Sequence, residues 1–171
     1  AMPLYGLYAG LAVLTPHWQI NKGLALALAL VHGTRLWGWH TPGIWRRPLL
    51  WVLHLAYGWI VVGFLIATFD AKLALHAFTV GAMGGMILGM ICRVSLGHTG
   101  RNIHHPPRIV TALFLLLFSS AMFRLVLPWL FPSATILGLR LAGILWIAAF
   151  AGFLWRYAPM LWLPRVDGKP G

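Results

Sequence analysis

Carboxylates are almost missing from this chain. Asp70 and Asp167 are its only acids in 171 residues, against 13 lysines and arginines. No intramembrane carboxylate pair can form, so a proton relay of transporter type has little to work with. Cysteine is as scarce: Cys92 stands alone, which excludes an internal disulfide, and its place in an apolar run reads as a buried thiol rather than a metal ligand. Nucleophile motifs and phosphate-binding glycine loops are also missing, so hydrolase chemistry is not expected. The formal charge of +11 is scattered between apolar runs and builds no basic arm or recognition helix, which argues against a nucleic-acid partner. No basic region opens a cleavable signal, and the chain begins Ala1-Met2-Pro3, as a piece of a longer protein would.

What is present is hydrophobic. Apolar residues make up 60% and charged residues 9% of the chain, where a soluble domain usually carries about 25% charged residues. Lipid needs no polar coat, so the bilayer is the natural solvent for this composition. The expected fold is all-α: a polytopic integral membrane bundle in one transmembrane domain over residues 1–171. Apolar runs predict spans near 3–16, 22–39, 48–68, 73–95, 109–127 and 134–157. The first is the weakest, because Pro16 closes it below the length a membrane helix needs. Each connection carries Pro, Gly or charge, as chain reversals should. Nine basic residues flank the connections near 40–47 and 96–108 and the C-terminal tail, against Lys22, Lys72, Arg124 and Arg140 on the other side. The positive-inside rule places the nine in the cytoplasm. Tryptophans near span ends, such as Trp37, Trp45 and Trp155, fit interfacial anchoring.

Eight histidines are many for so apolar a chain, and ionisable groups inside a membrane raise the prior for function. His32 and His54 each lie 11 residues from Gly43, so an antiparallel hairpin brings them to the same depth. There they can hold a haem iron axially, give two nitrogens to copper or zinc, or simply link helices. His76 opens the fourth span, with Met83 and Met90 following at intervals of seven and Met86 beside them. That stripe reads either as a copper path or as ordinary core packing, with His17 on the same side as a partner for His76. Gly81, Gly85 and Gly89 recur at intervals of four and leave one helix face nearly bare, suited to a close-packed helix or to a flat macrocycle. Arg93, near that face, can pair with a haem propionate or snorkel to the interface. Ser95-Leu96-Gly97-His98-Thr99-Gly100-Arg101 is either a plain glycine-ended helix terminus or a turn whose donors converge on a cofactor edge. His104 and His105 read as solvated loop residues.

The stretch from His76-Ala77-Phe78-Thr79-Val80-Gly81-Ala82-Met83-Gly84-Gly85-Met86-Ile87 to Arg93-Val94-Ser95-Leu96-Gly97-His98-Thr99-Gly100-Arg101 closely resembles the NnrS family. Leu53-His54-Leu55-Ala56-Tyr57-Gly58-Trp59 and the segment from Val31-His32 to Arg35-Leu36-Trp37 are similar to it too. The resemblance implies a bacterial inner-membrane protein that binds haem and copper and serves nitric oxide metabolism and resistance to nitrosative stress. Family members are about twice this length, so the match is expected to be to their C-terminal half. The missing half, or a second copy of the chain, would then be a partner alongside the bilayer and nitric oxide.

On this reading His54 and His76 are the leading metal ligands and His32 the next. Arg93, His98, Arg101, Gly81 and Gly85 line the cofactor. Two readings from other classes stand beside it: a structural or assembly subunit without metal, and a small-molecule transporter.

Overall fold

The computed structural model describes residues 2–14 and 19–168. Six helices follow one another: α1 (Met2–Leu14), α2 (Gln19–Trp39), α3 (Pro48–Ala67), α4 (Ala71–His98), α5 (Ile109–Leu130) and α6 (Thr135–Trp162). A short 3-10 helix, Pro42–Arg46, joins α2 to α3, and there is no strand among the described residues. The helical membrane bundle expected from composition is therefore the observed fold. Proline opens α3, where its missing N–H costs nothing, and Asp70 caps α4 by accepting from Leu73 N at 2.9 Å. Pro128 and Pro159 lie inside α5 and α6, as membrane helices tolerate.

Four helices, α3 to α6, are long and apolar enough to cross a membrane. α1 has only 13 residues, about 20 Å of helix against a hydrocarbon core of about 30 Å, and it buries no residue. α2 has the length but carries Lys22, His32 and Arg35. The connection at 15–18, with Pro16 and His17, lies outside the described residues.

The main core joins α3, α4, α5 and α6 through Val52, Leu88, Phe114, Leu117, Ala149 and Tyr157. Cys92 sits in it as a free, buried thiol. A smaller cluster of Leu28, Ala29 and Phe64, with Leu4 and Tyr8 of α1 against it, holds the other end of the chain order together. α5 and α6 form a close hairpin in which buried Ser120 donates to the Ala142 carbonyl at 2.7 Å.

The glycine face of α4 is filled by α3. A Cβ on Gly85 would lie 2.8 Å from Ala56 Cβ, and one on Gly89 would lie 2.9 Å from Val52 Cγ1. Gly81 has the Trp59 ring directly over it. Small residues thus let two backbones approach, and no macrocycle fits between Gly81 or Gly85 and the helix that covers them.

Within α4 the stretch Ala77–Met83 is π-helical. A π turn holds more residues than an α turn and shifts the phase of everything beyond it. The π stretch falls between His76 and Met83, so His76 leaves the face that Met83 and Met90 share along the regular helix beyond it. Met83 and Met90 are exposed on the bundle surface, while His76 faces α5.

One end of the bundle gathers the basic residues. Arg47 at the start of α3, Arg93 of α4 and His104 of the α4–α5 connection line one cavity, and the C-terminal tail reaches the end of α4 through Arg165. The grouping of two connections and the tail on one side, expected from the distribution of Lys and Arg, agrees with this arrangement.

Candidate metal centre on the α2–α3 hairpin

His32 is half-buried on α2, its ring stacked on Phe64 of α3 with centroids 5.6 Å apart. Its Nδ1 lies 2.6 Å from the Tyr57 hydroxyl. With the proton on Nδ1, the imidazole donates to Tyr57 and its Nε2 lone pair is free, the arrangement in which metal-binding histidines are usually held. Tyr57 is supported in turn by Trp39, edge to face at 5.0 Å, and the Arg35 guanidinium lies 5.2 Å over the Trp39 ring. Beside His32 in sequence, Ala29, Gly33 and Trp37 of α2 face Val61 and Leu65 of α3 across an apolar groove of about 400 Å³.

His54 does not face His32. Its ring neighbour is His40, with centroids 5.8 Å apart, and Trp45 stands 5.9 Å away on another side. Depth along a hairpin sets which residues lie level; rotation about each helix decides which of them meet, and here it turns Tyr57 rather than His54 toward His32. Two imidazoles bound to one ion through nitrogens at about 2.0 Å place their centroids roughly 4.5–6.3 Å apart. The His40–His54 spacing falls in that range. His40 Nε2 accepts from Trp45 Nε1 at 3.0 Å, which fixes the ring with its proton on Nδ1. No group of three or more His, Cys, Asp or Glu is assembled among the described residues; His40 and His54 come together only as a pair.

His76 has a different environment. Arg124 of α5 donates from Nη2 to His76 Nε2 at 3.3 Å. A guanidinium already occupies the lone pair that a metal would need, and its charge opposes a cation there. His17, the expected partner of His76, lies outside the described residues.

The glycine-bracketed turn that ends α4 is a helix terminus docked by the tail. Gly100 takes the left-handed conformation at φ 72°, Arg101 N bonds Leu96 O at 2.8 Å, and Thr99 Oγ1 bonds Ser95 O at 2.7 Å. Arg165 donates to the His98 carbonyl at 3.0 Å and grips both oxygens of Asp167. Val166 N donates to Thr99 O at 3.2 Å. The His98 side chain is exposed, and Arg101 keeps its Nη1 buried with no hydrogen-bond partner among the described residues. Arg93 lines a cavity with Arg47 and His104.

Sequence reasoning missed His40, Tyr57, Arg124 and Arg165. Arg165 alone left a usable signal, standing two residues from one of the chain's two acids. Arg124 was visible as a cation in an apolar span, without a sign of its partner.

The fold and site define a polytopic helical membrane protein whose polar chemistry rests on imidazoles and guanidiniums. The chain belongs to the NnrS family: the family model described as NnrS protein matches residues 1–165. No curated protein and no solved structure gives a significant match.

Proposed function

We propose that this chain is a haem- and copper-binding protein of the bacterial inner membrane, acting in nitric oxide metabolism and resistance to nitrosative stress. Membership of the NnrS family supports the physiological role. The observation that carries the metal reading is the His40–His54 imidazole pair, spaced as two ligands of one ion. Imidazole nitrogen suits copper, so His40 and His54 are the residues that would hold it. Freeing His40 Nε2 from Trp45 gives up one hydrogen bond, about 1 kcal/mol net, which is small beside the energy of metal ligation.

For haem the candidate ligand is His32, whose Nδ1 is hydrogen-bonded to Tyr57; the apolar groove on the same helix pair is lined by its sequence neighbours and not by His32 itself. When bound, the metals would supply redox chemistry and a coordination position open to nitric oxide. The chain's own part is to orient His32 through Tyr57 and to hold His40 and His54 side by side at the α2–α3 turn. Catalytic turnover, sensing and electron transfer are all compatible with these parts.

The test is a reduced-minus-oxidised absorption spectrum of the detergent-purified chain with and without nitric oxide, paired with copper analysis. A Soret band that moves on adding nitric oxide, with copper bound and lost in His54→Ala, is the expected result. A featureless spectrum and no copper in well-folded protein expressed with ample haem would rule the reading out for this chain. The second reading, histidines as helix links in an assembly subunit, is favoured by the His32–Tyr57 and His76–Arg124 hydrogen bonds. It predicts unchanged metal content and altered assembly in the same variants.

A further inference from the structure

The basic end of the bundle holds more positive charge than the chain can neutralise. Of its two carboxylates, Asp70 caps α4 at the opposite end and Asp167 is held by Arg165 through both oxygens. Arg47 and Arg93 have no ion-pair or hydrogen-bond partner for their guanidiniums among the described residues. Both line a cavity of about 100 Å³ with His104, while Leu49, Ile103 and Pro106 form its apolar walls. The first turn of α3 contributes Leu49 and Leu50 to the lining, so the positive end of that helix dipole adds to the two guanidiniums.

Size and chemistry narrow the occupant. A water's share of liquid volume is about 30 Å³, so the cavity has room for roughly three waters. That suits one tetrahedral oxyanion and falls short of the about 300 Å³ at which drug-sized pockets begin. Guanidinium groups bind phosphate by directed, charge-assisted hydrogen bonds. The apolar wall beside them matches the glycerol and acyl shoulder of a lipid better than it matches bulk water.

We infer that Arg47, Arg93 and His104 form a phosphate-binding site at the basic end of the bundle, taking the phosphate of an anionic phospholipid headgroup or free phosphate. Its position between α3, α4 and the α4–α5 connection lets one anion tie three segments together. The arginines recognise the charge, and the apolar walls select a phosphate carried on lipid.

The experiment titrates the full chain in detergent with short-chain phosphatidylglycerol, with phosphatidylcholine of the same chain length, and with inorganic phosphate. Phosphatidylglycerol is expected to bind more tightly than phosphatidylcholine. Arg47→Gln and Arg93→Gln should each weaken that binding about five-fold, while Arg93→Lys retains most of it. Competition by inorganic phosphate would assign the site to the oxyanion alone; binding of the lipid without such competition would assign it to the headgroup with its acyl chains. Both outcomes support the site. Wild-type affinity in both Gln variants overturns it, as does an equal loss in Arg108→Gln, an exposed residue outside the cavity. Should Arg93→Gln not purify as a folded protein, Arg47→Gln read against Arg108→Gln decides the matter.

Discussion

The Tyr57 hydroxyl and His32 Nδ1, 2.6 Å apart, join α3 to α2 at the level of the candidate ligands. The bond also selects the free nitrogen. Tyr57→Phe keeps the ring packing against Trp39 and removes only the oxygen, so it tests the orientation of His32 rather than the presence of an imidazole. Loss of such a supporting partner typically weakens metal binding about 10- to 100-fold. Haem titration of the purified variant should give a drop of that order with a displaced Soret maximum, while His32→Ala abolishes the band. An unchanged titration in Tyr57→Phe would show that the hydroxyl does not position a ligand.

The His40–His54 pair makes a separable prediction. Each single alanine variant should lose copper, and the double variant should lose no more than the singles, because neither imidazole holds the ion strongly alone. Copper content by elemental analysis and haem content by absorption, read on the same samples, keep the two sites apart. Additive losses would mean two independent sites.

Glycines of α4 include Gly85, covered by α3, and Gly97, which faces open space. Gly85→Leu must displace Ala56 and Phe118, whose atoms lie 2.8 and 3.0 Å from the position of a Cβ; overpacking of this kind costs about 1–3 kcal/mol or more. Gly97→Ala meets nothing within 4 Å and should be neutral or gain up to about 1 kcal/mol. Thermal denaturation in detergent compares the two, and a neutral Gly85→Leu would contradict the α3–α4 packing.

Ser120 tests the α5–α6 hairpin. Its hydroxyl is buried and donates to Ala142 O at 2.7 Å, and interhelical hydrogen bonds of this type average about 0.6 kcal/mol in membrane proteins. Ser120→Ala should lower stability by about that amount and leave metal content untouched. A loss of several kcal/mol would mean that the hydroxyl supports more than this one carbonyl.

Helix number was readable because apolar runs and their breaks carry that information along the chain, whereas the span expected at 134–157 runs on to Trp162. The span predicted at 48–68 is the helix Pro48–Ala67, fixed by Pro48 at one end and Asp70 beyond the other. The bare face of Gly81, Gly85 and Gly89 announced a close approach, and α3 makes it. Pairing between helices was not readable. His32 meets Tyr57 and His54 meets His40 because of helix rotation and the fold of the Pro42–Arg46 turn, neither of which leaves a periodic trace. The tail posed the same difficulty: Arg165 acts on His98 O, 67 residues away in sequence, through a backbone carbonyl that every residue possesses. His76 left the methionine stripe for another reason, since a count in sevens from His76 to Met83 assumes a regular α-helix and this stretch is π-helical.

That irregularity, the π-helical stretch Ala77–Met83, makes α4 two half-helices with independent aim. Each residue turns an α-helix by about 100°. Deleting one residue from the stretch would let it close into regular α-helix and would swing His76 by about that angle away from Arg124, leaving the Gly85–Gly89 contact with α3 in place. The extra residue therefore works as a rotational spacer: it lets one continuous helix keep packing on α3 along its length while its beginning still turns His76 to Arg124 of α5.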